Sequence, residues 1–175
     1  MQQPGNLNEV ALEALRKRIT EILPAQIREC VEQLSEEQLW WRPNEQANSV
    51  GNLLMHLEGN LRQWIVGGVG GAPDVRNRAG EFAARESATA DELLSRLEQT
   101  LDEADAVLVR LRPEQLTDRR RVQARDVTVL EAIYQVVQHF ALHLGQIILV
   151  AKAEVPGAIK FYEDAGGAAR PIWRD

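Results

Sequence analysis

The sequence predicts an all-α fold, a four-helix bundle. Four long segments place apolar residues three and four apart. No stretch carries a convincing strand pattern, and the Gly and Pro clusters fall mostly between the periodic segments. At 175 residues the chain is the size of one domain. It reads as a single unit over 1–175 with a short C-terminal tail from about 156.

The first helix is predicted from about Leu7 to Leu34. Its stripe is Leu15, Ile19, Leu23, Ile27, Val31 and Leu34, and Asn6 followed by Glu9 is a start signal. Pro24 lies inside the run, so a kink or break is expected there. The second runs from about Ser49 to Val66, with Val50, Leu53, Leu54, Leu57, Leu61, Trp64 and Ile65 on one side, and stops in Gly67, Gly68, Gly70 and Gly71. The third covers about Ala90 to Leu111 on Leu94, Leu97, Leu101, Ala104, Leu108 and Leu111, opened by a Thr89–Glu92 capping box. The fourth covers about Thr128 to Ala153, with Val129, Ile133, Val136, Val137, Phe140, Leu144, Ile147 and Ile148 inward. Thr128–Glu131 caps it and Pro156-Gly157 ends it. Residues 35–48 and 112–127 read as loops. Residues 67–88 read as a long crossing that allows helices two and three to run parallel. The words Leu34-Ser-Glu-Glu-Gln-Leu39 and Leu111-Arg-Pro-Glu-Gln-Leu116 repeat L-x-x-E-Q-L before helices two and four, a weak internal duplication.

Composition narrows the function. Apolar residues are 45% and charged residues 26%, which excludes wholesale disorder. Twenty Lys and Arg against 26 Asp and Glu leave a net charge of −6, unfavourable for binding nucleic acid through its phosphates. A single cysteine excludes an internal disulfide framework and a thiolate zinc cage. No signal peptide or membrane span is read, so a soluble cytoplasmic protein is the expectation.

The three histidines, His56, His139 and His143, all fall on core helices. His139 and His143 are one turn apart on one face, a spacing that suits two imidazoles on one metal ion, and His56 can supply a third from helix two. Asn52, Asn60 and Gln63 lie within about 40° of His56 on the helical wheel, as Gln135, His143 and Gln146 do of His139. Two polar seams bordering the core are therefore expected to face one another, with Asn52, Asn60, Gln135 and Gln146 behind the ligands or beside a substrate. The bland alternative is a set of hydrogen-bonded core-edge histidines. Three imidazoles leave an open position, unlike closed structural zinc sites with four protein ligands. Zinc or nickel is the favoured divalent ion, although imidazole also suits iron and copper. Phe140 stands where H-E-x-x-H would carry its glutamate, which excludes the zincin mechanism, and Glu58 and Glu131 lie off the seam, so no catalytic base is assigned.

The words N-L-L-M-H-L-E-G-N-L-R-Q-W (52–64), Q-H-F-A-L-H-L-G-Q-I (138–147) and L-S-E-E-Q-L-W-W-R-P (34–43) resemble the DinB/YfiT-like superfamily, in a DinB-like branch of bacterial proteins. The resemblance covers most of the chain. It implies an up-down-down-up bundle, often dimeric, with the metal triad carried onto His56, His139 and His143. It also implies a metal-dependent transferase of a low-molecular-weight thiol such as bacillithiol. A non-catalytic metal-binding stress-response or structural module is the rival reading. A metal-free bundle for protein contact is a third.

The remaining features have plain readings. Arg119, Arg120, Arg121 and Arg125 form a solvated basic loop, and Gly67–Gly71 is a helix stop without the Lys-Ser/Thr of a phosphate loop. One of Trp40 and Trp41 is expected to pack on the bundle end, Trp64 in the core, and Cys30 as a buried inert thiol. Asp74, Arg76, Arg78, Glu81 and Arg85 make the crossing highly charged, paired internally or against a second subunit.

Overall fold

The computed structural model describes residues 6–172. Residues 1–5, on which part of the leader reading rests, lie outside them. The chain is mostly helical. α1 (Leu7–Lys17) starts where the Asn6 side chain accepts the Asn8 N–H and Glu9 accepts the Asn6 N–H. Pro24 does not break the run. The chain widens into a π-helical turn, Arg18–Ile22, and resumes as α2 (Leu23–Val31) with Pro24 in its first turn. Proline removes an N–H and crowds the carbonyl one turn back, and a wider turn before it relieves both. Ile19, Leu23, Ile27 and Val31 thus remain on one buried stripe.

α3 (Glu36–Trp40) interrupts the predicted first loop, and α4 (Val50–Leu61) follows, capped by Ser49. α4 does not stop at the glycines but continues as a π-helical segment, Arg62–Val69. The crossing carries α5 (Arg78–Ala83). α6 (Ala90–Val109) then starts on the expected Thr89–Glu92 box. α7 (Val129–Glu154) starts on the expected Thr128–Glu131 box. Both L-x-x-E-Q-L words become short helical turns, α3 and a 3₁₀ turn over Pro113–Thr117. In each, the motif's glutamine returns to the N-terminal backbone: Ser35 N–H to Gln38 Oε1 and Arg112 N–H to Gln115 Oε1, both 3.0 Å.

The expectation of no strands is corrected. β1 (Arg119–Val122) and β2 (Arg125–Thr128) pair antiparallel, with Arg119 opposite Thr128 and Val122 opposite Arg125. Arg119 pairs with Asp126 and Arg120 with Asp118, so part of the basic run is neutralised. β3 (Tyr162–Asp164) and β4 (Ala169–Pro171) form a second hairpin in the tail, which also buries Ile159 and Phe161 against the core.

The long helical runs share one core. α7 packs against α2, α4 and the π-helical continuation of α4, while α6 packs against α4 and that continuation. Leu57, Leu61, Ile65, Leu108, Ile133, Val136, Phe140 and Ile147 are fully buried between them. Trp40 is the packed member of the tryptophan pair, its Nε1–H donating to the Ala88 carbonyl at 3.0 Å, while Trp41 is 39% exposed. Burial pushes the Cys30 thiol up to about 12, with Glu29 adding to it, which removes thiolate chemistry there. By length and mean hydropathy, 1.3 over its best window, α7 is long and apolar enough to cross a bilayer. Its inward side packs on the other helices, and its outward side exposes Leu130, Tyr134, Leu142 and Leu149.

Candidate metal centre

The three histidines meet. Ring centroids lie 4.9 Å apart for His56–His139, 5.0 Å for His56–His143 and 4.4 Å for His139–His143. One ligand nitrogen from each falls within 4.8 Å of the others. The (i, i+4) spacing on α7 stacks His139 and His143 on one face, and contact of α4 with α7 brings in His56. His56 is buried and the other two are half-buried, so the cluster opens towards solvent on the α7 side.

Hydrogen bonds behind the rings fix which nitrogens face inward. His56 Nδ1 lies 2.8 Å from Glu81 Oε2. Arg76 grips that carboxylate through Nε at 2.6 Å and Nη2 at 2.8 Å, a side-on fork that keeps it ionised. Arg76 Nη2 also lies 3.0 Å from His56 Nδ1. In the tautomer that places the hydrogen on Nδ1, the ring donates to the ionised carboxylate and Nε2 presents a lone pair. His143 Nδ1 lies 2.7 Å from Gln146 Oε1, also an acceptor, so His143 Nε2 is bare in the same way. His56 Nε2 and His139 Nε2 are 2.8 Å apart, close enough to share a proton or to face one cation. Hydrogen-bonded rings with aligned inward lone pairs are the arrangement a metal-binding imidazole needs.

The electrostatics favour neutral rings at His139 and His143. Burial first, then His143, His56, Arg76 and Arg78, push His139 down to about 4. His143 is lowered by burial and by His56, against a raising hydrogen bond from Gln146. For Glu81, burial alone would raise the pKa, but the hydrogen bonds of Arg76 and His56 and their charges outweigh it, and the net direction is down. Among the described residues, His56, His139 and His143 are the group that can hold a metal ion.

The remaining predicted positions divide. Gln146 meets the cluster directly through His143. Asn60 is buried one turn beyond His56, and its Oδ1 has no hydrogen-bond partner. A buried orphan acceptor beside a polar cluster fits a site that holds a further group. Asn52 is turned away from the rings: its Nδ2 donates to the carbonyls of Glu81 at 2.8 Å and Ala84 at 3.1 Å, which fastens the crossing to α4. Gln135 is half-buried and no described hydrogen bond ties it to the histidines. Gln63 faces the crossing instead, donating to Asp74 and accepting from Arg76 Nη1 and from Gln123 of the β1–β2 turn.

Sequence reasoning missed Glu81 and Arg76 as site residues and placed them only in a charged crossing. The signal was Gly59, three residues from His56. A Cβ there would come within 2.3 Å of Glu81 Oε1, so the glycine leaves the space that Glu81 occupies. Glu58, by contrast, is engaged by Arg62 and Thr100, away from the cluster.

A profile of the family described as protein of unknown function DUF1572 matches residues 6–158, a span that contains all three histidines, Arg76 and Glu81. The chain belongs to that family. No curated protein matches this DUF1572 member.

Proposed function

We propose that this protein is a divalent-metal enzyme on a DinB-like four-helix bundle of up-down-down-up order, and that it transfers a low-molecular-weight thiol to an electrophile. The observation that carries the reading is the convergence of His56, His139 and His143 with two of the three Nδ1 atoms already engaged from behind. The long crossing between α4 and α6 supports the helix order. The DUF1572 match supports a place in the DinB/YfiT-like superfamily.

The residues present fit an ion with three imidazole ligands and at least one open position. When bound, the ion supplies Lewis acidity, which lowers the pKa of a thiol or water at that position. His56, His139 and His143 hold it, Glu81 and Gln146 orient His56 and His143, and Asn60 offers a buried acceptor to what enters. In the transfer the thiol gives its proton to solvent, a sulfur–carbon bond forms, and the carbon–leaving-group bond breaks with its electron pair on the leaving group. Glu81 is committed to Arg76 and His56, so among the described residues no free carboxylate stands at the cluster as a base, a situation that suits a thiol better than hydrolysis. A homodimer through the exposed α7 stripe is part of this proposal.

The test is elemental analysis of untagged protein followed by thiol conjugation of an electrophile such as a chloro-dinitroarene. About one ion per chain, and conjugation lost in both chelated protein and His143→Ala, is the expected result. Near-zero metal, unchanged in His143→Ala, overturns the reading. The non-catalytic alternative is favoured by one observation: through His56, Glu81 and Asn52 the cluster ties α4, α7 and the crossing together. Chelation that lowers the melting temperature of a metal-loaded protein inactive on thiols assigns that role.

A further inference from the structure

α5 packs against the histidine cluster at His56 and carries a cation there. Phe82 lies against His56, with ring centroids 4.7 Å apart and planes tilted by 40°. The Arg78 guanidinium carbon sits 4.9 Å from the Phe82 centroid, so one aromatic ring contacts both this guanidinium and a ligand imidazole. Arg78 differs from its neighbours. Arg76 is consumed by Glu81, and Arg62 by Glu58 and Glu103, whereas Arg78 is exposed and no carboxylate lies within ion-pair reach of it among the described residues. A guanidinium over an aromatic ring and without a carboxylate partner keeps N–H groups available, and its fork of donors suits a carboxylate. The local charge points the same way: Arg76 is paired with Glu81, and Arg78 is left without a carboxylate on a chain whose net charge is −6.

We propose that the ligand of this site carries a carboxylate, and that Arg78, held on Phe82, binds that carboxylate while another atom of the same molecule takes the open position of the ion. Arg78 is a specificity-determining residue, and the substrate class is a small thiol acid or an equivalent anion. The inference rests on the metal reading above. It deepens that reading by naming the charge of the ligand.

Cobalt(II)-loaded full-length protein tests it. The near-ultraviolet sulfur-to-cobalt charge-transfer band is titrated with 3-mercaptopropionate and with 2-mercaptoethanol, in the wild type, Arg78→Gln and Arg78→Lys. Charge-assisted hydrogen bonds of this kind correspond to about tenfold or more in affinity. The wild type is expected to prefer the carboxylated thiol by that factor. In Arg78→Gln the preference should vanish, with the 2-mercaptoethanol constant unchanged, and in Arg78→Lys part of it should return. No preference in the wild type, or a preference that survives in Arg78→Gln, overturns the proposal. Succinate, followed in the cobalt d–d bands, separates it from the thiol reading. Arg78-dependent succinate binding without a thiol band supports Arg78 recognition and overturns thiol transfer alone. Absence of any cobalt spectrum in the wild type overturns both.

Discussion

At His56 the contact with Glu81 orients the ring and, through the ionised carboxylate, favours the hydrogen on Nδ1. Removing the charge of Glu81 while keeping its shape isolates this role. Glu81→Gln is expected to weaken metal binding about 10- to 100-fold, the usual cost of losing a partner behind a metal-bound histidine, as measured by competition with a chromogenic chelator. An unchanged constant would show that Glu81 only packs. The same cluster predicts a pH response. His139 holds its proton only below about 4, whereas an unfolded histidine titrates near 6.5. Between those values the unfolded chain binds the extra proton. Stability of metal-free protein is therefore complete above about 6.5 and declines as the pH falls towards about 4. Glu81 and His143 act in the same acid direction. The urea midpoint should fall across this window, and by less in His139→Gln. Equal falls in both proteins would remove the histidine as the cause. The triad was legible in the sequence because three histidines occur in the whole chain and two share a helical face. Glu81 was not, because a short helix inside an irregular crossing offers no periodicity from which to read its direction.

At the scale of elements, long amphipathic helices and their capping boxes were readable, and the hairpins were not. β1 has four residues, RRRV, of which only Val122 is buried, and Gln123 and Ala124 form its turn at positive φ without the Asn-Gly signal that such a turn favours. A charged run thus concealed a strand. Its anchor is tertiary: Val122 packs on Gly68 of the π-helical segment, where a Cβ would lie 2.5 Å from Val122 Cγ2. Gly68→Ala should displace the hairpin at a cost of about 1–3 kcal/mol, the range for overpacking a filled contact, read from chemical denaturation. A loss within a few tenths of a kcal/mol would mean that the hairpin shifts freely. Pro24 gives the complementary lesson, since its local effect was anticipated as a break and the helix absorbed it by widening.

For the whole molecule the outward face of α7 matters most. Leu130, Tyr134, Leu142 and Leu149 recur along one exposed side of the helix whose other side presents His139 and His143. In a homodimer built on that stripe, Leu142→Glu would place a charge in the contact. It should convert a dimer to a monomer in sedimentation velocity without changing helical content. A monomeric wild type at tens of micromolar would refute the dimer, and an unmoved dimer in Leu142→Glu would relocate its interface. The mixed character of α7, apolar enough by composition to span a bilayer, follows from serving two faces at once. No single-helix periodicity could separate core, site and outer stripe before neighbouring helices were placed.

The lock among Gly59, Glu81 and His56 has one more consequence. Residues 70–89 contribute no imidazole, yet they steady one from outside, so seating this segment and capturing an ion are thermodynamically reciprocal. An added divalent cation should slow trypsin cleavage after Arg78 and Arg85. A clip made there first should loosen the cation, which makes a protease ladder an indirect gauge of occupancy.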